Sequence, residues 1–125
     1  SDISLQAISF AQENAAYAGV DHMIEFQTCD FAETEIPERP RGVIMFNPEY
    51  GERLGENDEL EITYKRMGDY MKQKCAGYRG YIFTGNMELA KKVGLKASRR
   101  IEFWNGTIDC RLLKYEMYEG KREVL

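Results

Sequence analysis

Gly42-Val43-Ile44-Met45-Phe46-Asn47-Pro48-Glu49-Tyr50 is the stretch on which the fold turns. It runs without a polar break as far as Phe46 and stops abruptly at Asn47-Pro48. A strand that is apolar on both faces is what a central parallel strand covered by helices requires. Val43 to Phe46 is therefore expected to be such a strand, closed by a turn. Asn-Pro opens many turns, so the tetrapeptide alone reads equally well as a strand terminator or as a chemical site.

On the N-terminal side, residues 3 to 18 predict an amphipathic helix, with Ile3, Ala7, Phe10, Ala11, Ala15 and Ala18 at three- and four-residue spacings. Ser4 is a natural N-cap and Gly19 a natural stop. Met23 to Thr28 alternates as a short strand does, and Asp30 follows its C-terminal end. Glu33 to Pro40 is polar, carries two prolines and reads as a loop.

On the C-terminal side, residues 57 to 75 predict the longest helix. Asn57 or Asp58 caps it, and Leu60, Tyr64, Met67, Met71 and Cys75 form its apolar stripe. Tyr78 to Thr84 is a second buried strand, closed by Gly85-Asn86, and Glu88 to Val93 a short helix. Arg99 to Trp104 and Ile108 to Tyr118 flank Asn105-Gly106, a strong hairpin signal. Alternating helices and buried strands give an α/β class, with parallel strands finished by an antiparallel hairpin, in one domain or part of one.

With 125 residues the chain can bury one core. It has no apolar run of the roughly 20 residues a membrane helix needs, and Ser1 to Ser4 does not open a secretory signal. Cys29, Cys75 and Cys110 are far apart and lack a CxxC pair, so neither a disulfide framework nor a metal site is expected. They read as small buried residues in a reducing cytoplasm. A net charge of -4 argues against a dedicated nucleic-acid grip. Lys91, Lys92, Lys96, Arg99 and Arg100 form a modest basic cluster. It reads first as a solvated edge and second as a phosphate contact. His22 has no partner in sequence, and Trp104 reads as packing.

In doubly wound sheets, ligands bind outside the carboxyl ends of the strands. Asp30, the Asn47 turn and Thr84-Gly85-Asn86 fall at such ends. Asp2, just before the first helix, is expected at the end of a further strand lying upstream. An exocyclic base amine is a poor nucleophile, because its lone pair is delocalised into the ring. A catalyst must hold the amine's protons with neutral acceptors and aim its nitrogen at a methyl donor. The Asn47 side-chain carbonyl and the next main-chain carbonyl suit that task, and Tyr50 offers a face on which a flipped base can stack.

The continuation narrows the choice. Asn47-Pro48-Glu49-Tyr50-Gly51-Glu52-Arg53-Leu54-Gly55 resembles the NPPYGERLG motif of RlmL-type, THUMP-associated 23S rRNA guanine-N2 methyltransferases. Asp2-Ile3 with Ala11-Gln12-Glu13-Asn14-Ala15, Thr84 to Ala90, Gly94 to Arg100, Asn105-Gly106 and Cys110 to Leu112 resemble further segments of that family. The resemblance implies an incomplete Rossmann-like fold, the C-terminal portion of an S-adenosylmethionine-dependent methyltransferase domain spanning residues 1–125. The family's first strand and glycine-rich cofactor turn are expected upstream, as are its THUMP and ferredoxin-like RNA-binding modules.

By the same resemblance Asp2, with Ile3 beside it, binds the cofactor ribose, and Asp30 accepts from the adenine amine. Asn47, Pro48 and Tyr50 hold the target guanine amine, with Asn47 also next to the cofactor. The partner implied is 23S rRNA, and the location cytoplasmic. Glu49 departs from the family's usual proline, and Ser4 from a commonly acidic residue. The chain alone is expected to be inactive, to bind S-adenosylmethionine weakly or not at all, and to self-associate through exposed sheet edges. A DNA adenine-N6 methyltransferase and a non-catalytic remnant are the alternatives.

Overall fold

A computed structural model describes residues 1–37, 41–50 and 57–118. The chain divides into two compact units, residues 1–36 and 37–125. Among the described residues, no helix is long and apolar enough to cross a membrane.

In the first unit, α1 spans Leu5–Ala18. Ser4 caps it as expected, its side chain accepting from the Ala7 N–H at 3.2 Å. Gly19 ends it at φ 75°, the left-handed conformation a helix stop favours. The buried face differs from the predicted stripe. Of its six residues Ala15 alone is buried, Ile3 is 74% and Phe10 55% exposed, and the other buried residue, Ile8, lies outside it. Spacing alone did not select the covered face, because alanine reads as apolar on any face. The strand expected at Met23 to Thr28 is reduced to one parallel bridge, Asp2 with Thr28. Asp21–Met23 instead forms a 3-10 turn, and a second follows at Phe31–Glu33. Alternation offers a strand; a ladder also needs a partner, and among the described residues only Asp2 supplies one.

The second unit is built on a four-stranded mixed sheet in the order β1-β2-β4-β3. Its strands are β1 (Val43–Phe46), β2 (Arg79–Thr84), β3 (Arg99–Asn105) and β4 (Ile108–Glu116). β1 and β2 pair in parallel, joined through α2 (Asn57–Lys74), and the other pairings are antiparallel. The parallel strands and terminal hairpin are thus as the sequence predicts. The capping role given to Asn57 lies outside the described side chains. The short helix appears as α3 (Met87–Ala90), continued by a 3-10 turn over Lys91–Val93.

The α2 stripe is buried from Tyr64 onward, while Leu60, its first residue, is half-buried. Tyr64, Met67, Met71 and Cys75 are all at most 1% exposed. They cover the Gly80, Ile82 and Thr84 face of β2, on which a Cβ at Gly80 would lie 2.5 Å from Met71 Sδ. The expectation that β1 is buried on both faces is not met. Val43 is 55% and Met45 58% exposed, and the burial of β1 alternates. β1 ends the sheet, and α2 covers only one side of it, so its hydrophobicity exceeds what this unit buries.

The hairpin differs from prediction by one residue. Asn105 pairs with Ile108, so the two-residue loop is Gly106-Thr107. Gly106 has φ 65°, while Thr107 has no positive φ. That is the pattern of a type II′ turn, with glycine first, rather than the Asn-Gly type I′ turn. Across the hairpin, Arg111 reaches Glu102 at 3.4 Å and also bonds Asp109.

The cysteines are free. Cys75 and Cys110 are buried as expected, but Cys29 is only half-buried. Burial pushes the Cys75 thiol up to about 11, and it is the thiolate that attacks a thiol reagent. At pH 8, a thiol reagent is expected to modify one group quickly, Cys29, with Cys75 and Cys110 reacting only after denaturation. Peptide mass mapping checks this, and fast labelling of Cys75 would contradict the α2 packing.

Candidate active site

In the first unit, the structure brings two sequence-predicted carboxylates onto neighbouring segments. The Asp2 N–H donates to the Gln27 carbonyl at 3.1 Å, and the Asp2 carbonyl accepts from the Cys29 N–H at 3.0 Å. Asp30 is the next residue along. Each carboxylate is aimed by its own local turn. Asp2 Oδ1 accepts from the Ser4 N–H at 2.8 Å. Asp30 Oδ1 accepts from the Ala32 N–H at 2.9 Å, capping the 3-10 turn. Asx turns of this kind fix a carboxylate through one oxygen. Ile3, also predicted to take part, is exposed beside Asp2.

In the second unit, the Asn47-Pro48-Glu49-Tyr50 loop leaves the C-terminal end of β1, with Asn47 and Glu49 exposed and Pro48 and Tyr50 half-buried. The loop is held by its main chain. The Tyr64 hydroxyl of α2 donates to the Glu49 carbonyl at 2.9 Å. Tyr64 and Thr84 hydroxyls are 2.7 Å apart, and Thr84 Oγ1 accepts from the Asn86 N–H at 3.2 Å. A phenol has one proton, and Tyr64 gives it to Glu49, so Thr84 must donate to Tyr64. The sequence of donors is Asn86 N–H, Thr84 hydroxyl, Tyr64 hydroxyl, Glu49 carbonyl. Burial raises the Tyr64 phenol above its ordinary value, opposed by the Thr84 hydrogen bond. The phenol therefore stays protonated and keeps donating.

Tyr64 was missed as a site residue by sequence reasoning, and Thr84 was marked only by its place at a strand end. Their signal was a hydroxyl inside an otherwise apolar stripe and strand. A buried tyrosine usually finds a partner for its O–H. Replacing Tyr64 with phenylalanine leaves the Glu49 carbonyl and the Thr84 hydroxyl without this partner. It is expected to cost about 1–3 kcal/mol, read as a lower urea midpoint at an unchanged slope. An unchanged midpoint would contradict the relay. Asn86, in turn, uses its side-chain oxygen to cap α3, accepting from the Glu88 and Leu89 N–H groups at 3.0 and 3.1 Å. Its place at a strand end is thus explained by helix capping.

The Tyr50 hydroxyl accepts from Asn105 Nδ2 at 3.0 Å and lies 3.9 Å from Cys110 Sγ. The rest of the motif, Gly51 to Gly55, lies outside the described residues. In the basic cluster, Lys91 pairs with Glu88 at 3.1 Å, both groups being exposed. Lys91 and Arg100 also line a cavity of about 260 Å³ over Leu95 and Tyr115, which Asn47, Pro48 and Tyr50 do not border.

The model of the UPF0020 family, RMKL-like methyltransferase domains, matches residues 1–114. The chain belongs to this family. Its relatives include the ribosomal RNA large subunit methyltransferase K/L of Syntrophotalea carbinolica, 38% identical over 123 residues, or 96% of the chain. The chain spans only 17% of that protein's length. Among solved structures, a possible methylase from Clostridium difficile superposes with a TM-score of 0.83 at 31% identity, over 97% of this chain and 32% of that one. A chain solved in complex with SAH shares the fold, with a TM-score of 0.82 at 22% identity over 97% of this chain and 31% of that one. The incomplete Rossmann-like methyltransferase fold expected from the sequence is therefore the fold observed.

Proposed function

We propose that this chain is part of the catalytic domain of an S-adenosylmethionine-dependent enzyme that methylates the N2 amine of a guanine in 23S rRNA. On this reading it works in the cytoplasm, where its substrate is made. The observation that carries the proposal is the fixed Glu49 carbonyl, hydrogen-bonded to Tyr64 at 2.9 Å immediately after Asn47-Pro48. A rigid loop at a strand's carboxyl end can present the Asn47 side-chain carbonyl and the Pro48 main-chain carbonyl as neutral acceptors. Two such acceptors orient an amine's protons without a formal base, leaving its lone pair directed at the donor. The Tyr50 face then stacks against the base. In the first unit, the Asp2 carboxylate suits a ribose diol and Asp30 an adenine amine. When bound, S-adenosylmethionine would supply the electrophilic methyl group.

The departure at Glu49 is compatible with this role. The contact that anchors the loop uses the Glu49 carbonyl, which proline also possesses, and the side chain is exposed. The complete protein should thus transfer methyl groups as it stands, and Glu49→Pro should alter kcat by less than about tenfold, since exposed side chains away from special features contribute little. Tritium transfer from labelled S-adenosylmethionine to unmodified 23S rRNA measures both. Activity that arises only in the Glu49→Pro variant would favour the remnant reading. Because the chain's net charge is -4, RNA affinity must come mainly from other parts of the protein. Adenine-N6 methylation of DNA draws on the same acceptors and is separated by the methylated nucleoside formed.

A further inference from the structure

We propose that Gly85 and Asn105 are positioning residues for Tyr50, so that the C-terminal hairpin forms part of the active site. The inference rests on the base-stacking role given to Tyr50 above, and it deepens that role.

Gly85 has no positive φ, so backbone conformation does not demand a glycine there. The demand is steric. A Cβ on Gly85 would lie 2.7 Å from Tyr50 Cε2, 2.9 Å from Tyr50 Cδ2 and 2.9 Å from Ile108 Cγ2. Real carbon contacts of this kind are about 3.5–4.0 Å, so any side chain at position 85 must push the Tyr50 ring aside. One edge of that ring therefore lies on bare backbone at the end of β2, next to the first residue of β4.

The hydroxyl end is fixed separately. Asn105 Nδ2 donates to it at 3.0 Å across 55 residues of sequence, and the Cys110 thiol adds a weaker contact at 3.9 Å. Asn105 is the last residue of β3, held opposite Ile108 by the tight Gly106-Thr107 turn. Ring and hydroxyl are thus gripped by two different elements. With its hydroxyl engaged by Asn105, Tyr50 offers a substrate its remaining ring surface. Stacking is tolerant of base identity but sensitive to where the platform stands. The glycine at 85 and the asparagine at 105 set that place without touching the substrate.

Two measurements test this. The first uses the chain itself, with carbon-13-labelled tyrosine. Asn105→Ala and Gly85→Ala should each shift the Tyr50 ring resonances, leaving those of Tyr78 at the far end of β2 in place. Unmoved Tyr50 resonances would overturn the proposal whatever the enzyme's activity. The second uses the complete protein, labelled S-adenosylmethionine and unmodified 23S rRNA. Asn105→Ala should lower kcat about tenfold, and Gly85→Ala about a hundredfold, as misplacement of a positioning group does. In a Tyr50→Ala background, neither should lower it further. Effects that multiply in that background would show an action independent of Tyr50 and overturn the proposal. Should the complete protein transfer no methyl group to 23S rRNA, the proposed function fails, and the resonance shifts still decide whether Gly85 and Asn105 seat Tyr50.

Discussion

Replacing Asn47 with alanine in the complete protein is expected to lower kcat for methyl transfer by about a hundred- to a thousandfold, the usual cost of deleting one preorganised polar group at a reacting centre. The fold should tolerate the change. Asn47 is exposed at the end of β1, and exposed substitutions away from caps and networks usually stay within about 0.5 kcal/mol. The two readouts therefore separate chemistry from folding, with turnover collapsing and the urea midpoint holding. Asn47→Asp keeps an acceptor but exchanges the amide donor for a negative charge, so turnover should fall here too if the acceptor must be neutral. An alanine variant with near-normal turnover would remove Asn47 from the chemistry and leave the loop a strand-terminating turn.

The second large effect lies in packing. Gly68, within α2, would place a Cβ 1.8 Å from the Val93 carbonyl oxygen and 2.8 Å from the Val93 carbonyl carbon. In an exposed helix, glycine to alanine gains about 1 kcal/mol from propensity. Here the obstruction is backbone, so the Lys91–Val93 turn must move away from α2. Overpacking of this order costs about 1–3 kcal/mol and sometimes more, which exceeds the propensity gain. Gly68→Ala should thus destabilise the chain, with a lower midpoint in urea. A variant as stable as the parent would contradict the close seating of α2 on Val93. Glycine at 68 is invisible to pattern reading, since nothing in the local sequence shows which residue approaches it.

How much was legible follows from where each signal came from. The stripe Leu60, Tyr64, Met67, Met71 and Cys75 repeats at helical spacing with strong side chains, and all but the half-buried Leu60 are buried. The strand at Arg79–Thr84 and the hairpin were likewise carried by local pattern and turn chemistry. Local pattern failed where a partner decides the outcome. Met23 to Thr28 alternates as a strand does, yet among the described residues it pairs only at Asp2–Thr28. Val43 and Met45 are apolar yet exposed because this unit supplies a cover for one face only. The hairpin turn moved one residue because the pairing of Asn105 with Ile108 outranks the Asn-Gly dipeptide.

At the site, the loop residues were legible as a motif, but their supports were not. Tyr64, the Thr84-Gly85 pair and Asn105 come from α2, the end of β2 and β3, and no spacing rule connects segments so far apart. Thr84 and Gly85 were marked only as a strand end, Tyr64 as stripe and Asn105 as hairpin. Their common role came only from the contacts they share with Glu49 and Tyr50.

The central claim is tested most directly by identifying the methylated nucleoside. The complete protein would be incubated with trideuteromethyl S-adenosylmethionine and unmodified 23S rRNA, and the RNA digested to nucleosides for mass spectrometry. Trideuterated N2-methylguanosine is the expected new product, lost with Asn47→Ala. A label found in N6-methyladenine after parallel incubation with DNA, or in no nucleoside at all, would contradict it.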